Sequence, residues 1–128
     1  MQRRKLIIGV AAVASVGLLS ACRTAALAEP EGVSGGLAPE QLRNVIIKAL
    51  LNRSWRVTED EPGLIKARYI KGPHIAAVVI HYNEKGYRIE MDPATTLKRP
   101  DGMVDAKFNQ WVRNIDKDIG IGINTFHL

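Results

Sequence analysis

The only cysteine of the chain, Cys22, has the clearest potential for chemistry because a lone thiol can be modified covalently. It follows Leu19, Ser20 and Ala21, which end an apolar run that begins after three basic residues at positions 3–5. A basic segment, a short apolar segment and small residues before a cleavage site are typical of a secretory signal peptide. A transmembrane helix is the alternative, but residues 6–19 span only about 21 Å as a helix, against roughly 30 Å for the hydrocarbon core. The pattern therefore predicts an exported chain with a single thiol and no internal disulfide.

Residues 19–22 resemble the lipobox of bacterial lipoproteins. The resemblance implies that residues 1–21 are a signal peptide, cleaved between Ala21 and Cys22, and that Cys22 carries lipid on its sulfur and its amine. One acyl chain binds a membrane only marginally, whereas the two or three chains implied here would anchor the protein stably. In Gram-negative lipoproteins an Asp after the acylated cysteine commonly signals retention in the inner membrane. Arg23 occupies that position here, which implies the periplasmic side of the outer membrane.

Other residues with catalytic or metal-binding potential are few. His74 and His81 lie seven positions apart on one predicted strand, so they point to opposite faces and cannot share a metal, and neither has a Cys, Asp or Glu at ligand spacing. His127, like these two, is predicted to be a surface or turn histidine. Residues 32–36 match the G-x-S-x-G pattern of serine hydrolases, but Ser34 lies in a segment predicted as a linker rather than between a strand and a helix. The sequence thus predicts no catalytic residue, no metal and no cofactor.

Charge argues against nucleic acid as a partner. The formal net charge is +5, but three of the 18 basic residues belong to the predicted signal peptide while all 13 acidic residues lie beyond it. The predicted mature chain therefore carries a net charge of only +2. A nucleic-acid-binding domain is expected to be strongly basic.

The mature chain divides into three predicted parts. Residues 22–36 combine the lipidated cysteine with a flexible tether rich in Ala, Gly, Pro and Glu, residues 37–123 form the folded domain, and residues 124–128 form a tail. Apolar residues at helical spacing predict one helix over about 39–52 and a second that begins near Val104 and is ended by Gly120 and Gly122.

Period-two alternation between the two helices predicts four strands. They lie around residues 55–59, 65–69, 74–82 and 87–91, and the connections are short enough for an antiparallel meander. The predicted fold class is therefore α+β, with both helices packed on one face of a four-stranded sheet in two layers. One helix on each face is the alternative. Trp55 and Trp111 lie on apolar faces and are predicted to be core residues.

The sheet face away from the helices is the predicted binding surface. It is expected to be mostly basic, with Arg56, Lys66, Arg68 and Arg88 beside an apolar strip from the central strand, and alternation places Thr58 and Glu90 on the same face. Such a face could bind an envelope protein, an anionic envelope polymer or a second copy of the chain. An ordinary solvated sheet face is the simpler interpretation.

The span 55–119 is similar to a group of small proteobacterial envelope lipoproteins without an assigned activity. The similarity is carried by Trp55-Arg56-Val57, the strand 74–80, the strand 87–91 and the segment 108–112. It implies location and fold class only.

Two classes of function follow from these observations. The first is a non-enzymatic interaction or assembly module of the cell envelope, held at the membrane by acyl chains on Cys22. The alternative is a small enzyme that acts on an envelope glycan through the loop at residues 92–101. The absence of a nucleophile–base pair from the sequence pattern favours the first.

Overall fold

Two helices and five antiparallel strands in one sheet account for most of residues 24–128, the part of the chain that the computed structural model describes. Ala21, Cys22 and Arg23 lie outside these residues, as does the predicted signal peptide. In chain order the elements are β1 (Thr24–Ala26), β2 (Glu31–Val33), α1 (Pro39–Asn52), β3 (Arg56–Glu61), β4 (Leu64–Lys71), β5 (His74–Tyr82), β6 (Gly86–Met91), a 3-10 turn (Pro100–Gly102), β7 (Met103–Asp105) and α2 (Ala106–Thr125).

The main sheet has the strand order β2-β6-β5-β4-β3, and each neighbouring pair is antiparallel. β1 and β7 form a separate two-stranded sheet. The prediction of an α+β chain is confirmed. The predicted meander corresponds to β3 through β6, but the match is only partial because β2 adds a fifth strand at the β6 edge.

One apolar core joins both helices to the inner face of the sheet. Leu42, Ile46 and Leu50 of α1 are each 0% exposed, which is the outcome expected for an apolar stripe at helical spacing. Alternate strand residues complete this core together with the stripe of α2: Ile65, Ala67, Ala76, Val78, Ile80, Ile89, Phe108, Val112, Ile115 and Ile119. Of the two predicted core tryptophans, Trp55 is buried, whereas Trp111 is only partly buried.

The predicted flexible tether is wrong for residues 24–36. β1 pairs with β7 and β2 pairs with β6, so this segment is part of both sheets. The buried Asn109 side chain holds it further, because its Nδ2 donates to the Ala26 carbonyl at 2.7 Å and its Oδ1 accepts from the Ala28 N–H at 2.9 Å. These two strands have only three residues each and are held by hydrogen bonds from the backbone and from an amide side chain. Such strands need no alternation of apolar residues, so the sequence contains no pattern that would predict them.

Tyr87 links the added strand to α2. Its ring lies against β2 at Gly32, where a Cβ would lie 2.7 Å from the ring, so a side chain at Gly32 would collide with it. The Tyr87 hydroxyl donates to Asp116 Oδ1 at 2.6 Å. Burial and this hydrogen bond raise the pKa of Tyr87, so the phenol stays neutral and keeps its donor.

The predicted end of the second helix is also wrong. α2 continues through Gly120 and Gly122 to Thr125, so the helix enters the predicted C-terminal tail. The reason is helix packing, because a Cβ on Gly122 would lie only 2.7 Å from Val45 Cγ1 of α1. Gly122 therefore allows the two helices to approach closely, and it does not stop α2.

This contact predicts opposite effects for two neighbouring glycines. Gly122→Ala should lower the free energy of unfolding by about 1–3 kcal/mol, because the methyl group overpacks against the β-branched Val45. The Cβ of Gly120→Ala would meet no atom of residues 24–128 within 4 Å, so this change should raise the free energy of unfolding by about 0.5–1 kcal/mol through helix propensity. Urea unfolding of both variants measures the difference. Equal stabilisation by both alanines would contradict the proposed helix contact.

Candidate functional site

The outer face of the main sheet, opposite the core, carries all four predicted binding residues. Arg56 and Arg68 are direct cross-strand partners on β3 and β4, and Lys66 lies two residues from Arg68 on β4. Arg88 lies on β6, where it is paired with His81 of β5. The structure therefore brings three of the four residues together and leaves Arg88 on the other side of the central strand.

The prediction of a mostly basic face is wrong, because Glu59 joins the predicted Glu90 among the basic side chains. Lys66 Nζ lies 3.7 Å from Glu59 Oε2, and Glu90 Oε2 lies 3.4 Å from Arg88 Nη2 and 3.1 Å from His81 Nε2. Each of these side chains is about half exposed, so the pairs contribute little to stability. Their main effect is to neutralise charge, which leaves the outer face mixed in sign.

Glu59 is on this face because of a bulge in β3. The register shifts between Val57, which pairs with the inward-facing Ala67, and Glu59, which pairs with the outward-facing Lys66. Simple alternation from Trp55 and Val57 would place Glu59 on the inner face. An extra residue in a strand reverses the facing of everything after it, which explains why the sequence pattern alone gave the wrong charge balance.

Arg56 and Arg68 differ from the other cations of this face. Among residues 24–128, neither takes part in an ion pair, although both are exposed and lie directly opposite each other. Two like charges at directly opposed positions destabilise an antiparallel pair. A carboxylate or phosphate placed between them would remove that repulsion, and a guanidinium fork suits both groups.

An apolar strip runs beside the arginine pair. Ile75 and Val79 of β5 are partly buried, and Ile70 of β4, the cross-strand partner of Ile75, is 54% exposed. The candidate functional site is thus the arginine pair together with this strip. It offers two forked donors and an apolar surface, which is a surface suited to binding rather than to bond breaking.

Ser34 of the G-x-S-x-G pattern has a structural role. It follows β2 and precedes α1, but its hydroxyl is buried and donates to the Glu84 carbonyl at 2.7 Å, while its N–H donates to the Lys85 carbonyl at 2.9 Å. These bonds join β2 to the turn between β5 and β6. A nucleophile would instead need its hydroxyl directed at a general base.

The loop after β6, the site of the alternative enzymatic prediction, extends the sheet. Thr95 is buried, and its Oγ1 accepts from the Ala77 N–H at 3.0 Å and donates to the Ala77 carbonyl at 2.9 Å. Thr96 bonds Ile75 in the same manner. The loop therefore occupies the edge of β5 beyond the end of β6, and the glycan-enzyme alternative stays a prediction.

Several carboxyl groups among residues 24–128 form ion pairs with arginine side chains. The guanidinium of Arg53 holds the pKa of Asp118 below its usual value, and Arg43 does the same for Asp60. The Lys107 N–H, together with Arg99, lowers the pKa of the Asp105 carboxyl at the start of α2. Groups held ionised in this manner are poor general acids at neutral pH.

Residues 24–128 contain no group of three or more His, Cys, Asp or Glu placed to hold a metal ion. His81 lies on the outer face of the sheet beside Arg88, whereas the register of β5 places His74 on the inner face. The prediction that the two histidines point to opposite faces is therefore confirmed. No helix within these residues is both long enough and apolar enough to cross a membrane.

Comparisons of the chain with protein-family models, with curated proteins and with solved structures find no match.

Proposed function

We propose that this chain is a lipid-anchored protein on the periplasmic side of the outer membrane that acts as a non-enzymatic binding module. The lipid anchor is supported by the sequence alone, through Leu19, Ser20, Ala21 and Cys22. Arg23, at the position after the cysteine, supports the outer membrane as the location. The binding role is supported by one structural observation. The outer face of the sheet carries Arg56 and Arg68 at opposed positions beside an apolar strip that is exposed at Ile70, and the buried residues of both described helices lie in the core on the inner face.

The chemistry of this face favours a protein partner with an acidic and apolar surface. Acidic side chains would bind between the two arginines, and apolar side chains would cover Ile70 and Val79. Ion pairs already neutralise Lys66 and Arg88, so an extended polyanion would find only part of the face attractive. An envelope protein fits better than a polymer of repeated charge, and a second copy of the chain would be recognised in the same test.

Site-specific photocrosslinking in intact cells tests this function. A photoreactive residue at position 70 on the outer face should capture a partner, whereas the same residue at position 51 on α1 should not. The two positions are matched, because Ile70 is 54% exposed and Leu51 is 59% exposed. Adding Arg56→Glu and Arg68→Glu should reduce the capture at position 70 by at least fivefold. Equal capture at both positions, or capture unaffected by the charge reversal, would contradict the proposal.

A further inference from the structure

A small cationic cavity lies where the turn between β4 and β5 meets the first turns of α2. It has a volume of about 270 Å³ and is lined by Lys71, His74, Lys107, Gln110 and Trp111. Among residues 24–128, no carboxylate lines this cavity, although acidic side chains accompany the cations on the outer face. The cavity is therefore suited to an anion, and the potential donors are two ammonium groups, an imidazole and an amide.

The aromatic wall of this cavity is fixed in position. The Trp111 ring meets the Tyr69 ring edge-on at a centroid distance of 5.0 Å, and Tyr69 stacks on the buried Trp55 at 5.7 Å. Trp111 itself is partly buried, so one part of the indole packs on the core and another part borders the cavity. Tryptophan with one apolar and one wet side is enriched at membrane interfaces.

The cavity lies close to the point where the chain would enter the membrane. Thr24 of β1 is paired with Asp105, and Asp105 Oδ1 accepts from the N–H of the cavity residue Lys107 at 2.9 Å. Cys22 precedes Thr24 by two residues, which span at most about 7 Å of extended chain. Because β1 begins at Thr24, no long linker separates the acylation position from this end of the domain.

We infer that the cavity binds the phosphate of an anionic phospholipid headgroup in the membrane that holds the acyl chains of Cys22. The inference rests on the proposed lipid anchor and adds an orientation, in which the start of α2 lies on the membrane surface. A volume of about 270 Å³ is just below the roughly 300 Å³ at which pockets for drug-sized ligands begin, so a headgroup fits the size better than a larger ligand. Lysines next to a lipid anchor also strengthen attachment to an anionic surface.

Quenching of Trp111 fluorescence tests the inference. The acylated protein is reconstituted in phosphatidylcholine vesicles and in vesicles containing phosphatidylglycerol, both with the same fraction of a lipid that carries a spin label on its headgroup. Quenching should be at least twofold stronger with phosphatidylglycerol. Trp111→Phe should remove this difference, because the remaining Trp55 is buried.

Two charge-matched double variants separate the cavity from general attraction. Lys71→Gln with Lys107→Gln should abolish the lipid-dependent difference. Lys48→Gln with Lys85→Gln removes the same charge from α1 and from the turn between β5 and β6, and it should preserve the difference. Equal quenching in both vesicles, or equal loss in both double variants, would overturn the inference. Mass spectrometry of the same preparation distinguishes the two proposals: a chain without acyl groups would overturn both, whereas an acylated chain without lipid-dependent quenching would overturn only the headgroup site.

Discussion

Once another peptidase has removed the signal peptide, Cys22→Ser is expected to move the protein from the detergent-rich phase to the aqueous phase of a phase separation. Each buried CH₂ of an acyl chain contributes about 0.8 kcal/mol to membrane binding, so the loss of two or three chains would remove nearly all of the attachment. No helix in residues 24–128 offers a second means of crossing the membrane. The expected change is thus almost complete, and immunoblots of the two phases measure it.

Ser20→Ala provides the control for this experiment, because it alters the same short segment but keeps a small residue before the cleavage site and keeps the thiol. This variant should remain in the detergent-rich phase. A wild-type protein already found in the aqueous phase would contradict the lipid anchor.

Phe108→Ala is expected to cause the largest loss of stability. Phe108 is 0% exposed and belongs to the core that joins α2 to the sheet, so its removal should cost about 3–5 kcal/mol. Domains of this size have about 5–15 kcal/mol of stability in total. At about 4 °C or more per kcal/mol, the melting temperature should fall by at least about 12 °C in a thermal unfolding experiment.

Trp111→Ala is the informative comparison. The sequence alone predicts that Trp111 is a core residue, but the side chain is only partly buried and borders the cationic cavity. Its removal should therefore destabilise the protein less than Phe108→Ala does, and it should also weaken lipid-dependent effects. If Trp111→Ala lowered the melting temperature more than Phe108→Ala does, Trp111 would be a core residue, as the sequence alone predicts.

The sequence predicted the elements with a strong apolar period. The stripe of α1 and the long central strand were recognisable because 3.6-residue and two-residue periods each bury a defined face. Leu42, Ile46, Val78 and Ile80 are all 0% exposed. Which face of a single helix or strand is buried depends on the spacing of apolar residues within that element, so the local sequence predicts it.

Features that depend on distant partners could not be predicted in the same manner. β1 and β2 are held by backbone bonds to β7 and β6 and by Asn109, which follows Ala26 by 83 residues. Gly122 shows the same limitation, because its role depends on Val45 of another helix. From sequence alone, a glycine that allows close helix packing cannot be distinguished from a glycine that ends a helix.

The candidate site was predicted only in part, because some of its contacts also depend on distant partners. Alternation placed Arg56, Lys66, Arg68 and Arg88 on the outer face, as the structure has them. The same alternation placed Glu90 near Arg88, but the ion pair of Lys66 with Glu59 depends on the bulge in β3, which alternation does not reveal. The cationic cavity likewise joins Lys71 to Lys107 across 36 positions of sequence.

The most direct test of the account is the mass of the N-terminal peptide from protein extracted from membranes. This peptide is expected to begin at Cys22 and to carry two or three acyl chains. A peptide that retains Met1, or one that begins at Cys22 without lipid, would contradict it.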